Sequence, residues 1–153
     1  MEEIKNLIVE PTLKSPQIDL NQSTGELILS GKSIPENAAK IYDPVFHWVT
    51  AYALDPRPTT NIRLDLEYFN TSTSIWLAKI LKVLMKINNP DYVLIIHLYL
   101  PIEDFDELKE FDDIKDAFTP ISDIFTGSIP SVSLKVYGID EDGKIIKDTA
   151  VFI

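Results

Sequence analysis

Four consecutive hydroxyl residues, Thr71, Ser72, Thr73 and Ser74, follow Asn70 where one hydrophobic pattern hands over to another. Upstream, Ile62, Leu64, Leu66 and Tyr68 alternate with Arg63, Asp65 and Glu67, which predicts a half-buried strand with one face toward water or a partner. Downstream, Ile75, Leu77, Ile80, Leu81, Leu84 and Met85 recur at helical spacing and predict a helix with a broad apolar face. The first N–H groups of that helix lack intrahelical partners, so a side-chain oxygen from Asn70, Thr71 or Ser72 must cap them. Capping accounts for one such residue, not for the row. A helix N-terminus also favours negative charge, by ~0.3–1 kcal/mol when exposed. A hydroxyl there can accept a phosphate of about −1.5 to −2 charges while the fold survives. A partner docking over the spot must then desolvate the dianion or find an Arg for it. This is the chemistry of a switch.

Other residue types capable of chemistry give weaker patterns. His47 and His97 are the only histidines, and no metal-ligand spacing joins them. His47 reads as a helix-surface residue and His97 as part of a packed strand. Asp65 and Glu67 share a strand face and could act as paired acids, but no pocket residue accompanies them, so a solvated or partner-facing strand is the better reading. Asp140-Glu141-Asp142-Gly143 lacks the glutamate that closes a calcium loop and reads as a hairpin turn. The chain carries no glycine-rich phosphate loop, no G-x-S-x-G elbow and no cysteine. No metal, cofactor or enzymatic activity is expected. A small-molecule enzyme using Asp65, Glu67 or His97 is the outlying alternative.

Composition narrows the partners. The 153 residues, read as a single domain over 1–153, carry 24 acids against 14 bases, a net charge of −10 that repels nucleic acid and anionic lipid. No apolar run reaches membrane-spanning length, and "MEEIKN" lacks the layout of a signal peptide, so a cytoplasmic location is expected.

The elements that must position the hydroxyl row follow from the remaining patterns. "PQIDLNQSTGELILSGKS" reads as two strands joined by a turn at Gln22 to Gly25, where glycine supplies a positive φ. Only Leu7-Ile8-Val9 interrupts a loosely held N-terminus. Ser33 with Glu36 forms a capping-box pattern, and Pro44 is expected to break the helix it opens, with Asp43 as a fresh N-cap. Val45, Trp48, Val49 and Tyr52 then line one face. "YVLIIHLYL" reads as a central strand, Asp104 to Phe118 as an acidic helix, and the C-terminal stretch as a hairpin turning at Asp142-Gly143. The order ββαβαβαββ predicts a two-layer α/β domain: a mixed sheet of about five or six strands with three main helices packed mostly on one face.

Two stretches in this order, "SGKSIPEN" and "YFNTS", resemble the SiaC family of bacterial regulatory phosphoproteins. The resemblance runs from about Pro16 to Tyr99 and assigns a SiaC-like region of about 16–118, leaving 119–153 as a divergent C-terminal loop and hairpin. It implies a STAS-like, anti-anti-sigma-type partner-switch protein. By that resemblance, a Ser/Thr kinase of the histidine-kinase-like ATPase class phosphorylates Thr71, flanked by the phosphosite-loop residues Asn70 and Ser72. A metal-dependent Ser/Thr phosphatase reverses this, and the unmodified protein binds an effector such as a diguanylate cyclase. Ser33, Pro35, Glu36 and Asn37, with Asp65 and Glu67, are the candidate docking residues. The chain departs from the family at His97, which stands where a tryptophan is frequent. The alternative is an unregulated STAS-like binding or oligomerisation module using the exposed sheet face, with the hydroxyls serving only as caps.

Overall fold

In the computed structural model, which describes residues 5–87, 89, 91–107 and 131–152, each strand pairs with its immediate predecessor in sequence. The elements are β1 (Leu7–Val9), β2 (Gln17–Asn21), β3 (Glu26–Ser33), α1 (Ala38–Tyr52), β4 (Thr59–Phe69), α2 (Thr71–Met85), β5 (Val93–Pro101), α3 (Ile102–Glu107), β6 (Ser131–Ile139) and β7 (Ile145–Phe152). Strands β3 to β6 run parallel, and antiparallel neighbours flank them at both ends. Crossovers of one hand between successive neighbours put α1 and α2 on the same face of the sheet. Among the described residues the sheet has seven strands rather than five or six, because Leu7-Ile8-Val9 pairs with Leu20, Asp19 and Ile18 as an extra edge strand.

The core lies between that face and the helices. Leu27 and Leu29 of β3, Ile62, Leu64 and Leu66 of β4, Leu94, Ile96 and Leu98 of β5, and Val132, Leu134 and Val136 of β6 supply the sheet side. Tyr42, Val45, Val49 and Tyr52 of α1 and Leu77, Ile80, Leu81 and Leu84 of α2 supply the other. Burying each such side chain contributes about 1.5–3 kcal/mol.

Helix α1 departs from expectation at both points made for it. Its N-cap is Asn37, whose side chain accepts from Lys40 N at 3.4 Å, so Ser33 and Glu36 form no capping box. Ser33 instead ends β3. The helix also runs through Pro44 without a restart, and Asp43 faces His47 at 3.3 Å. An interior proline costs about 3 kcal/mol. Ala38 and Tyr42, upstream of it, are buried in line with Val45 and Val49, and that shared burial offsets the cost by holding both halves on one axis. The turn at 22–25 takes its positive φ at Gly25 (+75°), and β6 and β7 form the predicted hairpin. The predicted acidic helix is present from Ile102 to Glu107, and its remainder lies outside the described residues. Among the described residues no helix is long and apolar enough to cross a membrane.

Candidate functional site

The hydroxyl row sits at the junction of β4 and α2, and the structure divides it in two. Thr71 and Ser72 are exposed, whereas Thr73 is fully buried and Ser74 nearly so. Asn70 is the N-cap: its backbone is extended, and its Oδ1 accepts from Thr73 N at 3.0 Å. Its own N–H donates to Ser33 O at 3.1 Å, and its Nδ2 donates to Pro35 O at 3.3 Å. Ser74 N returns to Asn70 O at 3.1 Å. The two stretches singled out in the sequence, around Ser33-Pro35 and around Asn70-Thr73, are therefore one bonded unit.

Beneath it runs a chain of hydroxyls with a fixed direction. Thr73 Oγ1 donates to Ser33 O at 2.9 Å and lies 2.8 Å from Ser33 Oγ. A hydroxyl has one proton, so Ser33 must donate to Thr73. Ser33 Oγ also bonds Tyr42 Oη, and Tyr42 must be the donor there. Burial raises the Tyr42 pKa above its ordinary value against the lowering effect of its Ser33 and Thr73 contacts, so the phenol keeps its proton.

Gly31 explains how Ser33 gets there. It adopts φ +104°, in the left-handed region that glycine alone enters without strain. Directly after it the pairing of β3 and β4 slips: Gly31 faces Leu66, but Lys32 faces Tyr68. Beyond the bulge Ser33 is fully buried opposite Phe69, which is 44% exposed.

The remaining candidates separate. Of the proposed docking residues, Glu36, Asn37 and Glu67 are exposed, Asp65 is half-buried, and Ser33 and Pro35 are buried. Asp65 and Glu67 line a cleft of about 500 Å³ together with Gly31, Glu103 and Asp140. Burial and then the Glu67 charge raise the Asp65 pKa. Neither histidine lines that cleft. His47 lies on the α1 surface. His97 is only 3% exposed and is held by partners on both sides. Asn61 Oδ1 can only accept, so Nε2 donates to it at 2.8 Å and Nδ1 accepts from Tyr137 Oη at 2.7 Å. Burial first, then the charges of Arg63 and Lys135, lower the His97 pKa to about 4. Arg63 in turn holds Glu26 and Tyr99, each at 2.8 Å, and Tyr99 stacks on Tyr137. This array lies on the sheet face opposite α1 and α2. Among the described residues no group of three or more His, Asp or Glu could hold a metal ion.

Comparison with known proteins places these features in context. The model of the SiaC family regulatory phosphoproteins matches residues 9–124. An uncharacterized protein of Pseudomonas aeruginosa (strain UCBPP-PA14) is 30% identical over 81 residues, which span 53% of this chain and 64% of that protein, less than two thirds of its length. The crystal structure of apo-SiaC from Pseudomonas aeruginosa superposes with a TM-score of 0.64 at 22% identity, covering 76% of this chain and 91% of that one. SiaC crystallised with diguanylate cyclase SiaD, as its activator and from the same organism, gives 0.66 at 19% identity, with 86% and 99% covered. At these identities the two structures establish a shared fold.

Proposed function

The chain belongs to the SiaC family of regulatory phosphoproteins, and from that premise we infer a non-enzymatic switch in which phosphate on Thr71 decides which protein binds. The observation that carries this reading is the division of labour at the α2 N-terminus. Asn70 does the capping and Thr73 the internal bonding, while among the described residues no hydrogen bond passes through the exposed Thr71 hydroxyl. That oxygen can form a P–O bond as the β–γ bridge of ATP breaks to release ADP, its proton passing to a base of the kinase. No bond of the fold is lost, and the dianion sits where the helix dipole favours it by ~0.3–1 kcal/mol.

Exposed apolar side chains neighbour the acceptor along the chain and on the loop bonded to Asn70. Ile75 lies one turn along the same helix face and is 50% exposed; Phe69 precedes the cap; Ile34, 39% exposed, adjoins the Pro35 bonded to Asn70. A partner that covers them must strip water from any phosphate among them, and each 1.4 kcal/mol so lost weakens binding about tenfold. The partners in this reading are a kinase of the histidine-kinase-like ATPase class, a metal-dependent phosphatase and an effector such as a diguanylate cyclase, in the cytoplasm. The diguanylate cyclase is supported by the complex in which the structurally similar SiaC activates SiaD. Glu36, Asn37 and Glu67 are the docking residues exposed enough to touch such proteins, and Ser33 and Pro35 would support them from below. The alternative of an unregulated module oligomerising through the sheet face of Arg63, Asp65 and Glu67 has less behind it, since the Arg63 guanidinium is already committed to Glu26 and Tyr99.

Incubation with the kinase of this class from the same genome and ATP is expected to add one phosphate, placed on Thr71 by fragmentation and absent from Thr71→Ala. Equal phosphorylation of Thr71→Ala would refute the assignment.

A further inference from the structure

The geometry points to Ser33 and Thr73 as positioning residues that sort the hydroxyl row, offering Thr71 to the modifying enzyme and withholding Thr73 and Ser74; this rests on Thr71 being the acceptor. Thr73 has the same side chain as Thr71 and lies two positions along the same helix, yet its exposure is zero. A valine would fill that space with the same shape and without a hydroxyl to satisfy. Burying a hydroxyl is unfavourable unless it is bonded, and here every hydroxyl proton is used: Tyr42 donates to Ser33, Ser33 to Thr73, and Thr73 to Ser33 O. That carbonyl also accepts from Asn70 N, which uses both its lone pairs.

The result is a clamp on either side of Thr71. Asn70, immediately before it, is held to β3 and Pro35 by main chain and side chain. Thr73, two residues after it, is held to Ser33 across 40 positions of sequence. A nucleophile fixed on both sides reaches an incoming phosphorus atom in few orientations, and misplacement by about 1 Å can cost a hundredfold in rate. Thr73 and Ser74 point their oxygens inward, to Ser33 O and Asn70 O, and cannot compete while the clamp holds. Ser72 shares the exposure of Thr71, so the measurement must resolve those two.

The test is phosphorylation of the full chain by the same kinase with ATP, comparing wild type with Thr73→Val, Thr73→Ser and Tyr42→Phe. Circular dichroism checks folding, and fragmentation assigns the phosphate among residues 71–74. Thr73→Val is expected to lower kcat on Thr71 about tenfold with KM nearly unchanged, and to divert part of the phosphate to Ser72 or Ser74. Thr73→Ser, which keeps the hydroxyl, is expected to restore both, and Tyr42→Phe to fall between. If Thr73→Val does not fold, Ser33→Ala and Tyr42→Phe provide the same comparison. A folded Thr73→Val with wild-type kcat and site distribution overturns the inference, as does a Thr73→Ser that behaves like Thr73→Val. A wild-type chain that takes no phosphate overturns the acceptor reading, and this inference with it. A wild-type chain modified on Thr71 beside indifferent variants overturns the positioning alone.

Discussion

Asn70 makes two side-chain bonds of different kinds, and replacing it in two ways separates them. Its Oδ1 caps α2 through Thr73 N, and its Nδ2 tethers the helix to the 33–37 loop through Pro35 O. Alanine removes both. Loss of an N-cap costs about 1 kcal/mol, and loss of a further half-buried hydrogen bond about 1 kcal/mol more. Asn70→Ala should therefore destabilise by about 2 kcal/mol, or roughly 4–8 °C in Tm for a chain of this size. Aspartate is an equally good N-cap and keeps the first bond, but it cannot donate to Pro35 O. Asn70→Asp should lose only about 1 kcal/mol, roughly 2–4 °C. Urea denaturation of both variants beside wild type, followed by far-ultraviolet circular dichroism, gives the two differences directly. Equal losses for alanine and aspartate would mean that the cap contributes nothing here. A loss under about 0.5 kcal/mol for alanine would refute the account of the junction as a bonded unit, since that is the level of an ordinary surface change.

Three other outcomes can be checked on the same footing. His97 is held near pKa 4 in the folded chain against an ordinary 6.5, so between those values the unfolded chain binds more protons. Its contribution should be present above pH 6.5 and lost as pH falls toward 4, by at most ~3 kcal/mol. Denaturation at several pH values should show this extra loss in wild type and not in His97→Gln. Gly31→Ala meets no steric obstacle, the nearest atom being Pro16 Cα at 4.0 Å, but it strains a φ of +104°; a loss of about 1–3 kcal/mol is expected in the urea midpoint. Leu81→Ala, at a fully buried position of α2, should cost about 2–5 kcal/mol by the same assay.

What could be read before the fold was known follows the range of the forces involved. The alternation along β4, the apolar face of α2 and the hairpin turn depend on residues close in sequence, and all three are found in place. The capping-box rule misplaces the α1 start because it sees only Ser33 and Glu36, while the bulge after Gly31 diverts Ser33 into the core. Pro44 departs from the local rule for a related reason: its penalty is outweighed by burial of Ala38 and Tyr42 against a sheet that local patterns do not reveal. At the candidate site, the row of hydroxyls and their neighbouring motif are visible in the chain, and the resemblance singles out Thr71, but the bonds that bury Thr73 are not visible. Those bonds depend on Ser33 and Tyr42, up to 40 residues away. Likewise, His97 acquires its partners from β4 and β6, on the strands either side of its own.

The strand order 1-2-3-4-5-6-7 also bears on the sequence of events during synthesis. Each new strand finds its neighbour already made, so the sheet can lengthen in the direction in which the ribosome delivers it, without a late arrival having to wedge between earlier strands. Every partner in the acceptor junction, from Ser33 to Thr73, has emerged by the time α2 is complete. The junction can assemble before β6 and β7 exist.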